Sequence, residues 1–345
     1  MIRKSLLREK NNQQFDILGF VLDNALYAII ALLIVIVVLF EPSFFSIANF
    51  NAILTQSSTR LIFACGVGGI IVLGGTDLSL GRAVGLAGVL SASMLQSASY
   101  GMKVFKFSPL PIYVPILIAM LVTTIFSVAH GFVVSKWNVA PFIASLGFQQ
   151  LIYGICSLYF NGPCGANPIS NFAPEFVKFT QGRIKLTNQF SISFIMIYAI
   201  AICILMWFIW NKTILGKHMF AIGDNREAAK VSGVNVHRQM IMVYAIAGLL
   251  YGFGGALEAG RTGSAISSMC QGYELDAIAA CVVGGVSMRG GTGTILGIVL
   301  GVIIFQIISY GLIYIGVSPD WQYVVKGLII VIAVAIDTRK HMRRN

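Results

Sequence analysis

Residues 112–134 read IYVPILIAMLVTTIFSVAHGFVV, without one charged side chain. As a helix, this stretch is about 34 Å long, enough to cross a hydrocarbon core about 30 Å thick. Working outward, comparable runs lie near residues 25–40, 61–75, 83–99, 141–160, 190–210, 239–257, 275–287, 292–316 and 322–337. Of the 345 residues, 57% are hydrophobic and 11% charged, whereas soluble chains carry about a quarter charged residues. No polar block is long enough for a separate domain. The pattern predicts an all-α polytopic integral membrane protein with about ten transmembrane helices. Residues 1–24 form a basic cytoplasmic head, 25–337 the membrane domain, 211–238 a cytoplasmic loop within it, and 338–345 a basic cytoplasmic tail.

Charge placement orients these spans. The formal net charge is +11, but lysine and arginine sit in short loops and at both ends. A nucleic-acid binder would gather them on one face, so no nucleic-acid partner is expected. Ten crossings from a cytoplasmic start put both termini inside, with sixteen of the 24 basic residues, Arg82, Lys136 and Arg289 among them. This is the excess that cytoplasmic loops collect. The first run follows Arg3, Lys4, Arg8 and Lys10, an order shared with signal peptides. No small-x-small site follows Phe40, and Glu41–Pro42 ends the helix, which predicts an uncleaved anchor.

A second signal lies in the glycines. Gly74, Gly75, Gly81 and Leu86 recur 210 residues later as Gly284, Gly285, Gly291 and Leu296, a weak echo that chance in glycine-rich sequence also explains. Gly81 and Gly85, Gly248 and Gly252, and the ladder Gly293, Gly297, Gly301 have the spacing that lets helix backbones approach in lipid. Cys164 and Cys270 fall in segments placed outside, where either a disulfide or two free thiols is compatible with the spacing.

Residues 211–238, NKTILGKHMFAIGDNREAAKVSGVNVHR, contain the elements of one small helix. Asp224 can cap its start, Glu227 three residues later gives an acidic variant of the capping box, and Gly233 supplies a left-handed exit. Ala228, Ala229 and Val231 would form its apolar side. So short a helix needs a docking surface; it is either an ordinary surface helix or a lever seated in a cytoplasmic motor.

Here the chain resembles the permeases of binding-protein-dependent, ATP-driven importers. Glu227, Ala228, Ala229 and Gly233 reproduce their E-A-A-x-x-x-G loop. Residues 53–58 (ILTQSS), 75–82 (GTDLSLGR), 211–213 (NKT), 228–236 (AAKVSGVNV), 273–287 (YELDAIAACVVGGVS) and 316–326 (GVSPDWQYVVK) extend the likeness over the whole chain to the ribose, xylose and galactose branch. The I-x-L-P continuation found in other branches is absent, so their detailed contacts do not transfer. The resemblance implies inward movement of a monosaccharide, galactose or methyl-galactoside first, across a bacterial inner membrane by alternating access. It also implies an ATP-binding subunit with two cassettes, an extracytoplasmic sugar-binding protein and a second permease copy. Asp224, Glu227, Ala228, Ala229 and Gly233 would be the ATPase-coupling helix. The chain itself lacks a G-x-x-x-x-G-K-[ST] phosphate loop, and no catalytic, metal or cofactor constellation converges.

Charges at membrane depth cost about 2.5 to 3.5 kcal/mol each on insertion scales and point to pairing or function. Asp77 and Arg82 either pair across the glycine turn or, with Thr76 and Ser79, line a pathway or gate. Glu258, Arg261, Glu274 and Asp276 border an outside loop, where they would receive the binding protein or form a solvated rim. His130 is a packing residue or a proton carrier. The rival to an ATP-driven permease is an ion-coupled secondary sugar transporter using Asp77 or Glu258; a passive channel is a third class.

Overall fold

The computed structural model describes residues 35, 37–106, 110–185 and 190–342. The basic head, the first run before residue 35 and the last three tail residues lie outside these. The fold divides into two compact units, Phe45–Tyr310, and Met1–Phe44 with Gly311–Asn345. The helices in chain order are α1 (Ile47–Val72), α2 (Leu80–Met94), α3 (Tyr113–Lys136), α4 (Pro141–Asn161), α5 (Pro174–Gln181), α6 (Phe194–Lys212), α7 (Ile214–Asp224), α8 (Arg226–Val231), α9 (Val236–Thr262), α10 (Tyr273–Val283), α11 (Ile295–Tyr314) and α12 (Pro319–Met342). Among the described residues, α3, α4, α6, α9 and α11 are each long and apolar enough to span a membrane. One small departure from the all-α expectation is a two-stranded hairpin, β1 (Arg183–Lys185) against β2 (Ser191–Ser193), with Ile184 opposite Ile192.

In the larger unit α9 is the central helix and packs on α1, α2 and α3. Its small residues make this possible. A Cβ on Gly248 would lie 2.6 Å from the Thr124 Cα, and one on Gly255 would strike the Val84 carbonyl. Thr123 Oγ1 donates to the Gly248 carbonyl at 2.8 Å, a contact open only to backbones this close. In lipid such close packing replaces the hydrophobic driving force.

α1 begins fourteen residues before the run at 61–75. Its middle holds Gln56, Ser57, Ser58, Thr59 and Arg60, which break the hydropathy signal. Those groups meet protein instead of lipid. Ser57 and Ser58 donate back to the carbonyls of Ile53 and Leu54 at 2.8 and 2.7 Å, and Thr59 is fully buried. α2 and α10, 15 and 11 residues long, are about 22 and 16 Å in length, too short to cross alone.

Loop contacts sort into two ends. Leu95, Ser97 and Gln96 bond to or pair with residues 171–173, Ile169 pairs with Ala265, and Gln181 donates to the Gly260 carbonyl. These segments are the ones charge counting places outside. At the opposite end Arg226 donates to Ser135 and Asn138, and Gly291 N donates to the Val72 carbonyl at 2.9 Å. Arg82 departs from the count. Its guanidinium lies 4.2 Å from the Tyr153 ring, twelve residues into α4 and so about 18 Å from that helix's start. It belongs to the interior, not to a cytoplasmic loop.

The smaller unit is described here by residues 37–44 and Gly311–Met342. The turn Pro42–Phe44 places Ser43 Oγ 2.9 Å from the Tyr314 hydroxyl, with the Phe44 ring edge-on to Tyr314.

Candidate coupling and gating site

The segment between α6 and α9 holds two helices where the sequence suggested one. Polar caps start each element: Thr213 Oγ1 accepts from Gly216 N, Asn225 Oδ1 from Ala228 N at 2.9 Å, and Asn235 Oδ1 from Arg238 N. The cap of α8 is therefore Asn225. Asp224 ends α7 instead, and Glu227 sits one residue too early to close a capping box. Gly233 does take the left-handed conformation, with φ +85°. Of the apolar side expected on α8, only Ala229 turns inward, at 4% exposed. Glu227 and Ala228 face outward, and Val231 is 85% exposed. Arg226 ties this small helix to the end of α3 at Ser135 and Asn138.

The end of α7 is wedged against two glycine turns. After α1, Leu73, Gly74 and Gly75 donate to the carbonyls of Gly69, Ile71 and Ile70; after α10, Gly284, Gly285 and Val286 donate to those of Ala280, Val282 and Cys281. The two helices thus end in the same Schellman pattern, with Gly74 and Gly285 as the left-handed residues at φ +76° and +85°. The two turns correspond at an offset of 211, Gly74 matching Gly285, so the echo read at 210, which pairs Gly74 with Gly284, is not the structural correspondence. Gly223 seats against both connections: a Cβ there would strike the Val72 carbonyl oxygen and come within 2.5 Å of Gly291 N. In turn a Cβ on Gly290 would lie 2.7 Å from the Gly223 carbonyl and 2.8 Å from Gly74 N. Three segments distant in sequence meet here through backbone alone, so no side-chain rotation can absorb a displacement.

A buried polar cluster follows the first turn. Asp77, fully buried, accepts from Ser79 N and Oγ at 2.9 and 2.6 Å and from the Tyr251 hydroxyl at 3.0 Å. His130 Nδ1 stands 3.6 Å away, beyond hydrogen-bond range. Its ring stacks on Phe148 and meets Tyr244 edge-on. Asp77 and Arg82 do not pair, Arg82 being held against Tyr153. Thr76 is half-buried beside the cluster. The structure thus joins Asp77 and Ser79, adds Tyr251 and His130, and removes Arg82. Nothing in sequence spacing links residue 77 to 251.

The four charges assigned to an outside rim are drawn into the chain. Glu258 is 1% exposed and receives Arg261 at 2.8 and 2.6 Å, Thr59 at 2.7 Å and Tyr273 at 3.0 Å. Asp276 receives Arg60 at 2.7 Å. Glu274 is buried; its Oε1 takes a long bond from Gln149, while Oε2 has no hydrogen-bond partner among the described residues. Of the four, Arg261 alone is partly exposed, its side chain at 22%. A solvated rim is excluded for the three carboxylates, all of them buried. Cys164 and Cys270 are free thiols.

Comparison with known proteins follows this geometry. A family profile described as "Branched-chain amino acid transport system / permease component" matches residues 49–334. A galactose/methyl galactoside import permease of Haemophilus influenzae is 50% identical over 336 residues, covering 97% of this chain and 98% of that one. The Escherichia coli protein of that name is 49% identical over 95% and 97% of the two chains, and the Escherichia coli ribose import permease is 34% identical over 91% and 93%. No solved structure matches. An all-α, multi-pass membrane chain, matched along almost its entire length, thus belongs to the family of transport-system permease components.

Proposed function

We propose that this chain is the membrane subunit of an ATP-driven importer that carries galactose or methyl galactoside inward across a bacterial inner membrane. The names of its half-identical relatives support the substrate. The observation that carries the mechanism is the path from α8 to the glycine turns. α8 presents Glu227, Ala228 and Val231 outward, and so short a helix, marginal by itself, leaves this face open to a partner. That partner is a separate ATP-binding subunit carrying two cassettes.

Force on α8 reaches α7 through Asn225, and the Gly223 end of α7 bears on both turns. A push there displaces the ends of α1 and α10 together, and with them the Asp77 segment leading into α2. Asp77, Ser79 and Tyr251 act as a latch that holds this segment closed until the turns move. Two copies of the chain enclose the pathway, and a soluble binding protein delivers sugar from outside, meeting the end where residues 95–97, 171–173 and 265 gather.

The test is reconstitution in vesicles with the ATP-binding subunit and binding protein. ATP-dependent galactose uptake should persist after ion gradients are collapsed. Uptake lost with the gradient and indifferent to ATP would mark a secondary carrier instead.

A further inference from the structure

We propose that the corner between α6 and α7 is a binding site for the headgroup of an anionic phospholipid, formed by Lys212 and Lys217 with Trp207 beside them. The site depends on the membrane fold alone and not on which solute is carried.

The end of α6 marks the membrane surface. This helix is long and apolar enough to span, and Ile200, Ile204 and Phe208, four residues apart, form an exposed apolar stripe along it. Trp207, also exposed, and Lys212 close the span, the aromatic and basic residues found where hydrocarbon gives way to headgroups. The Lys212 ammonium lies 5.8 Å from the centre of the Trp207 ring. On α7, Ile214 and Lys217 are both exposed and, three residues apart, neighbours on one face. The isoleucine adds apolar contact for the upper part of an acyl chain.

Charge selects the lipid. No acidic residue lies between Phe194 and Gly223, and among the described residues neither Lys212 nor Lys217 takes part in an ion pair. The first carboxylate, Asp224, ends α7, about 10 Å along the helix from Lys217. Salt screens exposed charges over about that distance. Two uncompensated ammonium groups at the end that charge counting places in the cytoplasm favour a lipid with net negative charge over a zwitterionic one. Lys212 closes a span beside Trp207, where the neighbour is lipid, and this favours a lipid over a protein partner.

The corner is also rigid. Thr213 Oγ1 donates to the Ile209 carbonyl at 2.6 Å and accepts from Gly216 N at 3.2 Å. Gly216 packs so closely that a Cβ would strike the Trp210 carbonyl, and the Trp210 ring meets Phe220 edge-on. The lysines therefore extend from a fixed backbone, which lowers the ordering cost of binding. A lipid held here anchors the start of the helix whose other end is wedged at Gly223.

The test titrates the full chain, purified in detergent, with phosphatidylglycerol or phosphatidylcholine, and counts bound lipid by native mass spectrometry. Phosphatidylglycerol should bind in preference. Lys212→Gln and Lys217→Gln should each weaken its binding about fivefold, and together about thirtyfold, whereas Lys212→Arg with Lys217→Arg should keep it. Lys136→Gln, an exposed basic residue at the same end, should change it by less than about twofold. A photoreactive phosphatidylglycerol should label peptides within residues 204–221, and unlabelled lipid, but not inorganic phosphate, should compete. Equal weakening by Lys136→Gln, no preference for phosphatidylglycerol, labelling confined to other segments, or displacement by inorganic phosphate would each overturn the proposal. So would a double glutamine variant that binds lipid as before but no longer retains the ATP-binding subunit, which would assign the lysines to that partner. Should the double variant fail to fold, labelling of the wild type decides alone.

Discussion

Replacing Gly223 by alanine tests whether force passes through the joint. The new methyl group would strike the Val72 carbonyl oxygen and lie 2.5 Å from Gly291 N, the two ends of a 2.9 Å hydrogen bond. Real Cβ contacts under 3.0 Å are essentially never seen, and every atom struck is backbone, so the joint itself must open. Overpacking costs about 1 to 3 kcal/mol, and losing the bond adds about 1 kcal/mol. About 2 to 4 kcal/mol would then weigh against the state in which α7 is seated. At 1.4 kcal/mol per tenfold change, that state is depopulated at least about thirtyfold relative to its alternatives. In vesicles holding the complete transporter, galactose imported per ATP hydrolysed should fall at least about thirtyfold by the same arithmetic. Gly147→Ala is the control, since nothing lies within 4 Å of a Cβ there. If Gly223→Ala matched Gly147→Ala in uptake per ATP, the joint would not carry force.

Further outcomes follow from other contacts. Glu227→Lys reverses a charge on the exposed face of α8; the chain should insert normally but retain less ATP-binding subunit on co-purification and import less sugar. Arg60→Ala removes the 2.7 Å charge-assisted hydrogen bond to Asp276 and should destabilise the chain by about 1.5 to 3 kcal/mol; the double change with Asp276→Ala should recover much of this in thermal unfolding. Burial pushes the Cys164 thiol up to about 11, so few molecules carry the thiolate at neutral pH. In a variant keeping only that cysteine, alkylation should accelerate about tenfold per pH unit from 7 to 10. A rate that levelled off near pH 8.5 would contradict this.

Hydropathy located the helices whose outer faces meet lipid, because lipid and sequence average then agree. It truncated α1, where Gln56 to Arg60 are solvated by protein: Thr59 by Glu258 and Arg60 by Asp276. Positive charge in loops sorted the two ends correctly but miscounted Arg82, whose partner is the Tyr153 ring of another helix. Local motifs were legible only where they are local. The Gly233 exit could be read from its neighbours, while the cap of α8 shifted from Asp224 to Asn225 because a preceding helix, unseen in the sequence, claims Asp224. The carboxylates 258, 274 and 276 looked like a rim since sequence gives no sign of a loop folding inward; Tyr251 and His130 beside Asp77 are likewise tertiary facts. The glycine echo did not give the pairing of the two turns, because at its offset of 210 none of its four residue pairs matches the structural one.

The brevity of α10 bears on how far a cargo has to travel unaided. Eleven residues reach about 16 Å, and the chain before them, residues 263–272, is irregular backbone that lipid would not tolerate. That stretch must be sheltered by protein or bathed in water, so the outer vestibule extends inward on this side. The regular part of this wall is therefore no longer than one short helix, which ends at the left-handed Gly285.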